Sequence, residues 1–102
     1  MRLKHGVRMR GIRTELVAAM LAADAACRDA DIDCVVTSVT DGLHKRGSLH
    51  YAGAAFDLRI RDLPPGGAGR LCADLADRLG GDFDVLLEDT HIHVEYDPKE
   101  PG

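Results

Sequence analysis

Apolar residues recur at helical spacing in two stretches of the chain and alternate with polar ones in others. Leu16, Met20, Ala23 and Cys27 repeat at three- and four-residue intervals with Val17 and Leu21 beside them, which predicts an amphipathic helix to about Ala30. Thr14 stands before Glu15 as its N-cap, and Asp29, Asp31 and Asp33 form a polar exit. A second stripe, Leu71, Cys72, Leu75 and Leu79, follows the break Leu63-Pro64-Pro65-Gly66-Gly67 and stops at Gly80-Gly81, again the pattern of a packing helix. Residues 34–40 are β-branched and end at Asp41-Gly42, so they read as a strand closed by a turn. In residues 54–60, Phe56, Leu58 and Ile60 alternate with Ala55, Asp57 and Arg59, the period of a half-buried strand. Residues 83–87 and 91–96 are two further strands, and the short polar link Glu88-Asp89-Thr90 makes them a hairpin. The polar stretch up to Tyr51 reads as a loop.

This order, helix, strand, strand, helix, strand, strand, predicts an α+β fold with a small, largely antiparallel sheet against two helices. The 102 residues are enough for one domain and too few for two, with residues 1–13 and 97–102 expected as flexible ends. A chain 45% hydrophobic and 29% charged has the composition of an ordinary globular protein. Aromatic residues are 4% and Trp is absent, so the core is built from Ala, Val, Leu and Ile, and a bound metal would add to modest stability. Seventeen acids against thirteen scattered bases give a net charge of −4, which argues against nucleic acid as a partner. No apolar run resembles a signal peptide or a membrane span, so synthesis in the cytoplasm is expected, as is a monomer. Cys27, Cys34 and Cys72 fit neither a disulfide framework nor a Cys-x-x-Cys zinc site, and all three are expected to be buried thiols.

The chemistry lies in two segments. A period of two sends His91, His93 and Glu95 to one face of the last strand and Ile92, Val94 and Tyr96 to the other. Two imidazoles and a carboxylate in a row are costly to bury without partners, and imidazole with carboxylate is an ordinary zinc set. The His-x-His pair alone is weak evidence, since exposed strand histidines occur by chance. The second segment, Ser48-Leu49-His50-Tyr51-Ala52-Gly53-Ala54-Ala55-Phe56-Asp57, places a His on a loop and an Asp outward on the next strand. Small residues between them let the backbone fold closely around an ion.

The pattern Ser-x-His-x-x-Gly-x-Ala-x-Asp at residues 48–57, followed by His-x-His at residues 91–93, resembles the zinc D-alanyl-D-alanine carboxypeptidase family. That family includes the peptidoglycan L-alanyl-D-glutamate endopeptidases of phage lysins and shares its fold with the hedgehog signalling domain. The matched segments span residues 48–96, about half the chain. The resemblance implies a hydrolase of cell-wall peptides, with His50, Asp57 and His93 as zinc ligands and His91 as a base or an oxyanion donor. It also implies a zinc-activated water and a base that passes its proton to the leaving amine. Many family members carry that base as a Glu three residues before the last zinc His, a position held here by Thr90. Glu88 is the first choice to replace it, His91 the second and Asp89 the third, while Glu95 is placed to hold a ligand His by its second nitrogen.

The substrate implied is a peptidoglycan stem peptide with a carboxylate at or near the cut. Arg46 and Arg59 carry forks suited to that group. Ser48 is a candidate to hydrogen-bond substrate and Tyr51 to line the cleft; His5 and His44 read as solvated. Small size without a leader resembles phage or prophage enzymes that reach the cell wall through a holin or with the virion. Two other readings compete: a zinc-stabilised module that binds peptidoglycan or a protein without turnover, motivated by Thr90, and a plain α+β domain whose histidines are incidental.

Overall fold

The helical and alternating stretches fold as two helices and a sheet. The structure, a computed structural model, describes residues 1–7, 14–40, 55–61 and 63–98. In chain order the elements are β1 (Arg2–Leu3), α1 (Thr14–Asp29), β2 (Val35–Thr40), β3 (Ala55–Arg59), α2 (Gly67–Leu79), β4 (Phe83–Leu87) and β5 (His91–Tyr96). The five strands form one mixed sheet in the order β1-β2-β3-β5-β4. Only the β1–β2 pair is parallel; β2–β3, β3–β5 and β4–β5 are antiparallel. The radius of gyration is 13.0 Å, as for other folded chains of about 100 residues.

The apolar positions of the inner strands meet the helix stripes on one face. Val36, Phe56, Leu58, Ile92 and Val94 pack with Leu16, Met20, Leu71 and Leu75 in a single core. Burying each of the larger side chains stabilises the fold by about 1.5–3 kcal/mol. Residues opposite one another across β3 and β5 share a face: Phe56 with Val94 and Leu58 with Ile92 on the core side, Asp57 with His93 and Arg59 with His91 on the other. Among the described residues no helix packs on that second face.

Local signals account for the element ends. Asp31 adopts φ 58°, a left-handed conformation that Asp tolerates better than most residues, and Ile32 N–H donates to Cys27 O at 2.8 Å. Gly80, at φ 81° and ψ −169°, occupies a region essentially reserved for glycine, and its N–H caps α2 on Ala76 O at 3.1 Å. The β4–β5 hairpin closes with Glu88 N–H donating to His91 O at 2.8 Å.

Three expectations change. A strand precedes α1: β1 pairs Arg2 with Val35 and Leu3 with Val36, and it is tied down by Arg2 hydrogen-bonded to Asp33 and by the N-terminal ammonium on Asp24. Cys72 is half-buried rather than buried, because it sits beside the Leu71–Leu75 stripe, with Sγ 3.7 Å from Val85 O. Val17 and Leu21, which flank the α1 stripe, stay exposed. The Asp41-Gly42 turn and the loop ending at Tyr51 lie outside the described residues.

Candidate metal centre

Strand pairing brings the site together. Asp57, in the middle of β3, is the direct register partner of His93 in β5, so their side chains leave the sheet together on the face away from the helices. His93 donates from Nδ1 to Asp57 Oδ1 at 2.7 Å and from Nε2 to Glu95 Oε1 at 3.1 Å. One turn of the pleat away, His91 Nε2 lies 3.7 Å from the same Asp57 oxygen. Thr90 Oγ1 shares a hydrogen bond with His91 Nδ1 at 3.0 Å, which fixes the ring with Nε2 toward the carboxylate.

The electrostatics follow from this geometry. The hydrogen bond to Asp57 raises the His93 pKa above its ordinary value; burial opposes the shift, and the bond to Glu95 adds to it. His93 and Asp57 keep 24% and 23% of their side-chain surface exposed, so the cluster is open to an ion or a ligand. No charged or polar side chain among the described residues is fully buried.

Asp57, His91 and His93 each offer a ligand atom, and these atoms lie within 4.8 Å of one another. A tetrahedral zinc with bonds of 2.0–2.2 Å separates its ligand atoms by about 3.4 Å. The 3.7 Å between His91 and Asp57 is close to that spacing, and the 2.7 Å bond between His93 and Asp57 needs to lengthen by less than about 1 Å. Metal capture therefore fits the donor set, at the cost of the proton on His93 Nδ1. Glu95 would then keep Nε2–H oriented, as second partners of ligand histidines do. Asp84, Glu95 and Asp97 form a second group of carboxylates within reach of one ion, without an imidazole.

The sequence-predicted residues divide into two sets. Asp57, His91 and His93 are brought together. His50, Arg46, Ser48 and Tyr51 lie outside the described residues, as does His44. Glu88 is exposed at the hairpin end and is not part of the cluster. Asp89 and Thr90 line, with His91, a cavity of about 370 Å³ at the end of the sheet. The sequence reading did not single out Lys4 or Arg61 on the same cavity wall, and no local signal could have joined residues so distant along the chain.

Fold and site together define an α+β protein whose mixed sheet carries histidine and carboxylate groups positioned to hold a metal ion. No protein-family model matches the chain, and no curated protein or solved structure matches it either. Among the described residues no helix is long and apolar enough to cross a membrane.

Proposed function

We propose that the chain is a zinc-dependent metallopeptidase that hydrolyses peptide bonds of bacterial peptidoglycan, as a D-Ala-D-Ala carboxypeptidase or an L-Ala-D-Glu-type endopeptidase. The observation that carries this reading is the pairing of Asp57 with His93 at 2.7 Å, on a half-buried face with His91 3.7 Å away. It gives spatial meaning to two sequence segments whose combination resembles the zinc peptidase pattern. Asp57 and His93 Nδ1 would hold zinc, with His50 as the third ligand that the resemblance implies. Zinc supplies Lewis acidity, polarising the scissile carbonyl and bringing the pKa of water to about 7.

The remaining work falls to the chain's own groups. Glu95 orients His93 through Nε2. His91, pinned at Nδ1 by Thr90, would take a proton at Nε2 and return it to the leaving amine. Glu88, one hairpin position away, is the competing base. Arg46, Ser48 and Tyr51 remain the proposed substrate contacts on the segment between β2 and β3.

The test is hydrolysis of a D-Ala-D-Ala dipeptide and of purified peptidoglycan by zinc-loaded protein, with and without a chelator. Chelator-sensitive cleavage is expected; inactivity of a stoichiometrically zinc-loaded sample on both substrates contradicts the reading. Thr90, at the position of the family's usual Glu, favours one second reading: a zinc-stabilised module that retains peptidoglycan without turnover.

A further inference from the structure

The end of α1 and the start of β2 meet through two cysteines on the helix side of the sheet, across it from the candidate metal centre. α1 closes on Cys27: Ile32 N–H donates to Cys27 O at 2.8 Å and Asp31 N–H to Arg28 O at 3.1 Å, with Asp31 left-handed at φ 58°. This Schellman closure turns the chain back, so that Cys34, seven positions after Cys27, enters the same core. The two residues are only 1% and 4% exposed.

The thiols are each other's partners. Cys34 donates its S–H to Cys27 Sγ, and that bond holds the Cys27 thiol below its ordinary value; the same bond, with burial behind it, raises the thiol of Cys34. Thiols in hydrogen-bond contact face one another, as the converging Cβ vectors of a disulfide require. Cys72 stands apart on α2, its Sγ 3.7 Å from Val85 O.

Access to the pair comes from the sheet edge. Arg2 N–H of β1 donates to Cys34 O at 2.8 Å, and the N-terminal ammonium lies close enough to favour the thiolate at both cysteines. β1 has two residues and a single neighbouring strand. Its side-chain ties are ion pairs, Arg2 with Asp33 and the N-terminal ammonium with Asp24, a kind of contact that holds weakly. Such an edge opens locally more often than the core unfolds.

We propose that Cys27 and Cys34 form a redox-active dithiol, a modification site that small organic disulfides oxidise to an intramolecular disulfide when β1 lifts. The Cys27 thiolate attacks one sulfur of the small disulfide, whose S–S bond breaks, and the departing thiolate takes the proton that Cys27 gave up. The Cys34 thiolate then attacks the Cys27 sulfur of this mixed disulfide and releases a second small thiol, which carries the proton of Cys34. Two protein thiols lose two electrons, and one small disulfide becomes two thiols. The site needs neither the metal nor the peptidase reading.

The test is incubation of the purified, reduced protein with glutathione disulfide under native conditions, then alkylation in denaturant and tryptic mapping. Cleavage after Arg28 separates the two cysteines, so the bond is read as residues 14–28 joined to residues 29–45. The joined pair is expected with Cys72 alkylated, and dithiothreitol should undo it. The denaturation midpoint should rise on oxidation, because a bond across a short loop restricts the unfolded chain. Asp24→Asn, which releases the N-terminal ammonium, should speed the oxidation by about two- to fivefold. Cys27 and Cys34 both alkylated after the incubation, a joined pair that includes Cys72, or a midpoint lowered by the bond overturns the site. An unchanged rate in Asp24→Asn overturns its opening through β1.

Discussion

The two faces of β5 follow different rules although their residues alternate along one strand. Ile92 and Val94 are fully buried against the helices, and their identity is set by volume and by exclusion of water. His91 and His93 stand half-exposed on the other side, and each ring is oriented by polar partners, Thr90 for one and Asp57 with Glu95 for the other. The core face thus makes the site rigid, while the open face can change its chemistry with little effect on folding.

Substitutions should separate the faces. The largest effect belongs to the core: Phe56→Ala should destabilise the fold by about 3–5 kcal/mol, read as a lowered denaturation midpoint. On the open face, His91→Gln should lose turnover by about 10²–10⁴-fold with its denaturation midpoint unchanged; zinc retained in the variant assigns His91 as the base, and zinc lost from it assigns His91 as a ligand. Glu88→Gln should change turnover far less, and the opposite ranking would transfer the base to Glu88. Glu95→Gln should weaken zinc binding by about 10–100-fold through a loosened His93 ring, measured by competition with a chromogenic chelator. Little change there would mean that Glu95 does not support a ligand.

The smallest effect concerns the sheet edge. Arg2 holds the Asp33 carboxyl below the ordinary value of 3.8, and the N-terminal ammonium does the same for Asp24. A carboxyl with a depressed folded pKa stabilises the fold above 3.8 and loses that contribution as pH falls through its lower folded value. Amide exchange at Arg2 and Lys4, whose N–H groups donate to Cys34 O and Val36 O, should accelerate below pH 3.8, corrected for the intrinsic pH dependence, before the core amides of β3 and β5 respond. Simultaneous loss of both would show that β1 is not separately held.

The same contrast explains what could be read from the sequence. The core strands announce themselves by alternation: Phe56 and Leu58 against Asp57, Ile92 and Val94 against His91 and His93. Period two was therefore sufficient to put Asp57 and the histidines on open faces, though not to say that residue 57 would pair with 93 rather than 91 or 95. That register is a long-range choice made by packing. β1 left no trace because two residues carry no period, and its partners Val35, Asp33 and Asp24 are more than twenty positions away. Cys72 was misjudged because it occupies the shoulder of the α2 stripe, where a small apolar side chain packs about as well half-exposed as buried. Arg59 stood out in the sequence as a guanidinium beside the motif, whereas its cavity neighbours Lys4 and Arg61 did not, because sheet order, not sequence order, brings them together.

The most direct measurement is zinc content by elemental analysis of the purified wild type and of His93→Ala after equal dialysis against zinc-containing buffer and then metal-free buffer. One zinc per wild-type chain and none in the variant is the predicted result. A wild type without zinc, or a variant that retains it, contradicts a metal centre built on Asp57 and His93.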